Sequence, residues 1–136
     1  MIRAVVADCG PLFAANDGSD VYHSRSVQDL EYFAKGRWEV LISYPVLLET
    51  YSLLLLRLGR HAALGWLDEV GASRFLSPVT QDFNRAIVTI KALPDQRITL
   101  VDATIAAVAI RLGLEVWTYD RHFDVMRVPV WRGREA

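Results

Sequence analysis

The chain of 136 residues has a single cysteine, Cys9, so no disulfide can close within it. No group of Cys and His has the spacing of a zinc site either. Long apolar runs are also missing. The longest stretch free of charge is the nine residues 40–48, far short of the roughly 20 needed to cross a bilayer. Met1 and Ile2 lead into "RAVVAD" with no signal-like apolar region and cleavage site, so a cytoplasmic protein with no membrane partner is expected. Lysine is scarce, and thirteen of the fifteen cations are arginine. The net charge of −1 gives no general pull toward nucleic acid or anionic lipid.

What is present suits one globular domain, expected to span 1–136: 52% of residues are hydrophobic and 23% charged, with no low-complexity tract. The arginines fall into local groups, Arg57/Arg60, Arg121/Arg127 and Arg132/Arg134, whose planar forks suit phosphate or carboxylate. A basic rim beside an acidic site is compatible with the near-neutral total.

Along the chain, "RAVVAD" reads as a strand and "CGPLFAAN" as a short helix broken by "DGSD". Val21, Val27, Leu30, Phe33 and Ala34 have helical spacing and predict a helix from about Asp20 to Ala34. "WEVLIS" predicts a second strand. Pro45 suits a first helical turn, and the helix it opens runs to Gly59. Another covers roughly Arg60 to Val70, "SRFLS" reads as a short strand, and Thr80 to Leu93 as a helix stopped by Pro94. Thr99 starts the last long helix, Gly113 ends it, and "EVWTYD" supplies a strand before "VPVW". Strands alternating with helices predict an α/β fold, doubly wound around a parallel sheet.

That arrangement has a consequence for the acids. In right-handed β-α-β units, the carboxyl ends of strands and the amino ends of the following helices share one edge of the sheet. Asp8 and Asp120 follow strands, while Glu49 and Asp102 lie in the first turns of helices. Four carboxylates distant in sequence are therefore expected to converge. Like charges brought together raise one another's pKa unless a cation neutralises them. Oxygen ligands without Cys or His favour Mg²⁺ or Mn²⁺, which can activate water toward a phosphodiester.

Each acid has a plainer reading as well. Asp102 fits the capping box "TLVD" with Thr99 as N-cap. Glu49 is compatible with a solvated helix stripe, Asp8 with an Asx turn, and Asp120 with an ordinary turn. His23 reads as structural, and His122 as a turn residue within reach of phosphate. The leucine-rich run "YSLLLLRLG", with Trp66 and Leu67 nearby, is expected to be core on one face, and the extra apolar face of Tyr51 to Leu58 with Trp66 to be covered by a second subunit or partner.

These stretches resemble the PIN-domain ribonucleases, in particular the VapC-type toxins of toxin–antitoxin pairs. "VVADCGPLFAA" is similar to the family's first strand and aspartate, "SYPVLLETYSLLL" to its glutamate helix, and "LVDATIAAVAIRLGLEVWTYDRHF" to its most recognisable segment. The resemblance spans nearly the whole chain and implies a PIN-like α/β/α sandwich with a mostly parallel sheet. It also implies an Mg²⁺- or Mn²⁺-dependent endoribonuclease, forming a homodimer restrained by a VapB-like antitoxin. Asp8, Glu49 and Asp102 match the three strongly kept acids and Asp120 the more variable fourth, with Asp124 as its competitor. Thr118 matches a hydroxyl beside the site. Cys9 departs from the family's usual Ser or Thr.

Other classes fit less well. A receiver-type signalling domain would want paired acids after the first strand and a late lysine, whereas no lysine follows Lys91. Phosphatases of the haloacid dehalogenase type want D-x-D where this chain has "DCG". A catalytically silent PIN-like binding module would have no need of the full acidic set.

Overall fold

The structure, a computed structural model, describes residues 3–133. Arg134, one of the grouped arginines, lies outside the described residues. The elements alternate as the sequence suggests: β1 (Ala4–Ala7), α1 (Cys9–Asn16), α2 (His23–Lys35), β2 (Glu39–Ser43), α3 (Tyr44–Leu58) and α4 (Arg60–Val70). Then follow β3 (Phe75–Leu76), α5 (Thr80–Ala92), α6 (Leu100–Leu112), β4 (Glu115–Trp117) and the short α7 (His122–Val125). The last of these was not foreseen. No helix among the described residues is long and apolar enough to cross a membrane.

The sheet order is β3-β2-β1-β4, and every pairing is parallel, so the expected "mostly" parallel sheet is wholly parallel among its described strands. β1 is central and buried along its length, which is why it reads as the unbroken apolar run "AVVA". The chain steps from β1 to β2 to β3 in one direction and returns across β1 to β4. Right-handed crossovers then put α1 to α4 on one face and α5 and α6 on the other. The direction of winding reverses between β1 and β4, and at such a switch point the loops leaving two strands part to open a crevice. Asp8 leaves β1 there, its N–H donating to the carbonyl of Trp117 at 3.0 Å.

Local signals set the helix limits. Thr99 and Asp102 cap α6, and Gly113, at φ 68°, closes it in the left-handed conformation that glycine adopts without steric penalty. Gly59, at φ 96°, makes the corner between α3 and α4. Across the far face, Arg111 of α6 forks onto both oxygens of buried Asp82 at the start of α5, through Nε at 3.0 Å and Nη2 at 2.9 Å. Burial pushes Asp82 up, but the Arg111 bonds, the Val79 N–H and the Arg111 charge outweigh it and leave the carboxyl below its usual value.

Two expectations about surfaces are corrected. Trp66 is only 2% exposed and Leu54 is fully buried; both belong to the chain's own core with Phe13, Val46 and Ala63. A fifteen-residue helix rich in leucine turns some of them inward and others outward, and composition alone does not say which. The outward ones are Leu48, 67% exposed, and Leu56, 82% exposed, with Leu55 and Tyr44 beside them. In α2, Val21 precedes the helix and stands in solvent, and Val27 is exposed too. The buried stripe is instead Ser26, Asp29 and Phe33, two of them polar.

Candidate active site

Four loops and helix starts meet over the carboxyl edge of β1. They enclose an open cavity of about 380 Å³ whose lining includes Asp8, Glu49, Asp102 and Asp120. The four expected acids are thus brought to one place. Asp124 is not among the lining residues; it pairs with Arg132 instead.

Asp8 is the deepest. Its Oδ1 accepts the Cys9 N–H at 2.8 Å, capping α1, and its Oδ2 accepts the Thr118 hydroxyl at 2.8 Å. The Thr118 oxygen in turn accepts the Asp120 N–H at 3.0 Å, so the two strand ends are tied across the switch point. Burial, then the charge of Asp102, push the Asp8 carboxyl up; the Thr118 and Cys9 hydrogen bonds oppose this, Asp120 adds to it, and the result is about 7. Placing an anion there without a counter-charge is therefore unfavourable.

Asp102 carries both of its readings at once. The capping box exists, with its N–H donating to Thr99 Oγ1 at 3.1 Å and its Oδ2 accepting the Thr99 N–H at 3.3 Å. Burial raises its pKa against those bonds, with Asp120 adding to the rise. A ligand atom of Asp102, one of Asp120 and one of His122 lie within 4.8 Å of one another. His122 reaches this position because its N–H donates to Asp120 Oδ1 at 2.9 Å, bringing the ring Nδ1 to 3.4 Å from the same oxygen. The sequence had placed that histidine in a turn within reach of phosphate, not beside the acids.

Glu49 sits in the second turn of α3, and its Oε2 is buried with no hydrogen-bond partner. Burial and the charge of Asp102 raise its pKa, and a hydrogen bond from the Cys9 thiol lowers it in part. The Cys9 thiol, surrounded by burial and carboxylates, is held protonated well above its usual range.

The residues suit a hard divalent cation. Among the described residues no Lys or Arg forms an ion pair with any of the four acids. Carboxylates with raised pKa values and an orphaned buried oxygen are groups that a cation would satisfy together. The one cation among the lining residues is Arg57, its guanidinium lying 5.4 Å from the centre of the Phe13 ring.

Three neighbouring residues had no place in the sequence reading. Asp29, Tyr119 and Tyr22 form an aromatic and hydrogen-bonded cluster against the cavity wall. The available signal was a carboxylate on the inward stripe of an amphipathic helix, since a buried acid requires partners. His23, by contrast, is structural: its Nδ1 lies 2.8 Å from the Ala14 carbonyl, which can only accept, and so fastens α2 to α1.

Residues 19–129 match the family model of the PIN domain, a span that takes in Glu49, Asp102 and Asp120 and leaves Asp8 just outside. No curated protein matches the chain. Among solved structures, the chain is similar to VapC20 of Mycobacterium tuberculosis, a sarcin-ricin loop cleaving toxin. The TM-score is 0.80 at 21% identity, over 95% of this chain and 99% of that one. It is also similar to VapBC2 from Rickettsia felis bound to a DNA fragment from their promoter, with TM-score 0.70, 17% identity and 93% of each chain covered. FitAcB from Neisseria gonorrhoeae gives 0.69 at 20% identity, covering 94% of this chain and 96% of that one. At these identities the likeness is one of fold.

Proposed function

This chain belongs to the PIN-domain family, and from that premise we propose that it is a metal-dependent endoribonuclease of the VapC type. The observation that carries the reading is the convergence of Asp8, Glu49, Asp102 and Asp120 on one cavity, with no Lys or Arg among the described residues paired to them. A neighbour of the same fold that cleaves the sarcin-ricin loop supports RNA as the substrate.

Asp8, Asp102 and Asp120 would hold Mg²⁺ or Mn²⁺, with His122 at the edge of the set and several coordination sites left to water. When bound, the ion supplies Lewis acidity toward a phosphodiester oxygen and toward the attacking water. Glu49, with an unpartnered oxygen and a raised pKa, takes the water's proton as its oxygen bonds to phosphorus and the P–O bond to the leaving ribose oxygen breaks. Thr118 fixes the Asp8 carboxylate, and Arg57 binds a phosphate of the strand. The exposed leucines of α3 receive a second copy of the chain. A VapB-like antitoxin restrains the enzyme, its arm bringing a basic side chain to the acids.

The test is cleavage of a single-stranded or looped RNA by purified protein with Mn²⁺ or Mg²⁺. Glu49→Gln should lose at least about 100-fold in kcat, in keeping with the loss of a general base. Cleavage that persists in EDTA would overturn the reading.

A further inference from the structure

Successive side chains of an extended segment point to opposite sides. Beyond β4, Thr118 turns to Asp8, and its neighbour Tyr119 turns the other way, to α2. There the Tyr119 hydroxyl donates to Asp29 Oδ2 at 2.6 Å, and the Trp117 Nε1–H donates to the same oxygen at 3.1 Å. Asp29 is only 4% exposed and forms no ion pair among the described residues, so these donors, both from the β4 end, are what satisfy its buried oxygen. Ser26 adds a longer bond, 3.3 Å, from its hydroxyl to that of Tyr119. The segment carrying Thr118 and Asp120 is thereby pinned to the helix.

With its hydroxyl engaged, Tyr119 offers a fixed ring. The Tyr22 ring lies over it, with centroids 4.8 Å apart and planes 30° apart, and the Arg25 guanidinium carbon is 4.5 Å from the Tyr119 centroid. The turn before α2 is set by Asp20, whose Oδ1 accepts the Tyr22 N–H at 2.8 Å. Tyr22 remains 41% exposed, and both tyrosines line the cavity that holds the four acids. Burial and then the bond to Asp29 raise the Tyr119 hydroxyl to about 12, so it serves as a support rather than as an acid or base.

A half-exposed aromatic face braced from behind is an unusual thing to place at the mouth of an acidic cavity. The acids repel a polyanion, so affinity for a strand has to come from contacts beside them. Stacking on an aromatic ring is indifferent to charge and tolerant of sequence, and a tyrosine already held in place loses little freedom on binding. Arg25 adds a positive charge next to the stack, at 4.5 Å from the Tyr119 ring centre.

We propose that Tyr22, stacked on the Tyr119 ring that Asp29 and Arg25 hold, is the platform for the nucleobase adjoining the scissile phosphate. The site would take an unstacked, single-stranded ribonucleotide, with the base turned onto Tyr22 and its phosphate turned to the acids. The inference rests on the nuclease reading above and adds a substrate subsite to it. Tyr22 and Tyr119 are positioning residues for the strand.

The experiment uses the full chain with Mn²⁺ and a short single-stranded RNA cut at one bond, together with versions of that RNA lacking the base on either side of the bond. Tyr22→Ala should raise KM about fivefold or more, the loss of one stacked base, with kcat changed less than twofold. One of the two abasic substrates should show the same penalty with the parent and no further penalty with Tyr22→Ala. Tyr22→Trp should keep the parent KM, and Tyr22→Leu, which keeps apolar bulk without the ring, should behave as the alanine variant does. Thermal melting checks that each variant is folded. A Tyr22→Ala enzyme with the parent's KM, or one equally sensitive to removal of the base, would overturn the platform while leaving the nuclease reading intact. A parent that cleaves no RNA would overturn both.

Discussion

Thr118 donates its hydroxyl proton to Asp8 across 2.8 Å, from a position 110 residues further along the chain. Because the same hydroxyl oxygen also accepts the Asp120 N–H, the ends of β1 and β4 are locked in register where the winding of the sheet reverses. The lock holds an aspartate that burial would otherwise drive toward its neutral form.

That tension is measurable as stability against pH in metal-free protein. The Asp8 carboxyl rises from 3.8 to about 7 on folding, so between those values the folded chain binds more protons than the unfolded one. The contribution of Asp8 to stability is then fully present below about pH 4 and lost as pH rises through about 7, a swing of at most about 4 kcal/mol, whereas that of Asp82, lowered on folding, is lost as pH falls. Asp102 and Glu49 shift in the same direction. In Asp8→Asn the slope between pH 4 and 8 should flatten, whatever constant penalty the altered hydrogen bonds impose. Denaturant melts of the two proteins at several pH values read the slope directly, and parallel curves would count against a charged, unneutralised Asp8.

How much of this was legible beforehand depended on whether a signal was local. "AVVA" announces a strand buried on both faces, and Asp8 at its end is placed by topology alone. Thr99, Asp102 and Gly113 mark α6 by capping chemistry. Trp66 was misassigned to an outer face because a run of leucines carries no record of which side meets the sheet. Asp29 went unread because its partners, Trp117 and Tyr119, lie about ninety residues away; His122 was read as a turn residue near phosphate, and its place beside the acids was missed because one turn hydrogen bond to Asp120 is what brings it there.

Arg57 supplies a separable expectation. As the cation lining the cavity, it should contribute one phosphate contact, so Arg57→Ala should weaken RNA binding at low salt. The slope of log affinity against log salt should fall in magnitude by about 0.7, the share of one contact on a single strand. An unchanged slope in a fluorescence titration would place the phosphates elsewhere.

Assembly follows from the outward leucines. Leu56 and Leu48 are strongly exposed on α3, and an apolar patch of this kind is usually covered in solution. The parent should be a dimer by light scattering at tens of micromolar, and Leu56→Glu with Leu48→Glu should be a folded monomer. A parent already monomeric at that concentration would remove the dimer from the account.

The central claim is that Asp8, Asp102 and Asp120 hold one divalent cation beside Glu49, and calorimetric titration of Mn²⁺ into the purified chain tests it most directly. The parent should bind, and Asp8→Asn and Asp102→Asn should each bind far more weakly while remaining folded. Unchanged Mn²⁺ affinity in both variants would contradict the shared site and return Asp102 to the capping of α6 and Asp8 to the capping of α1.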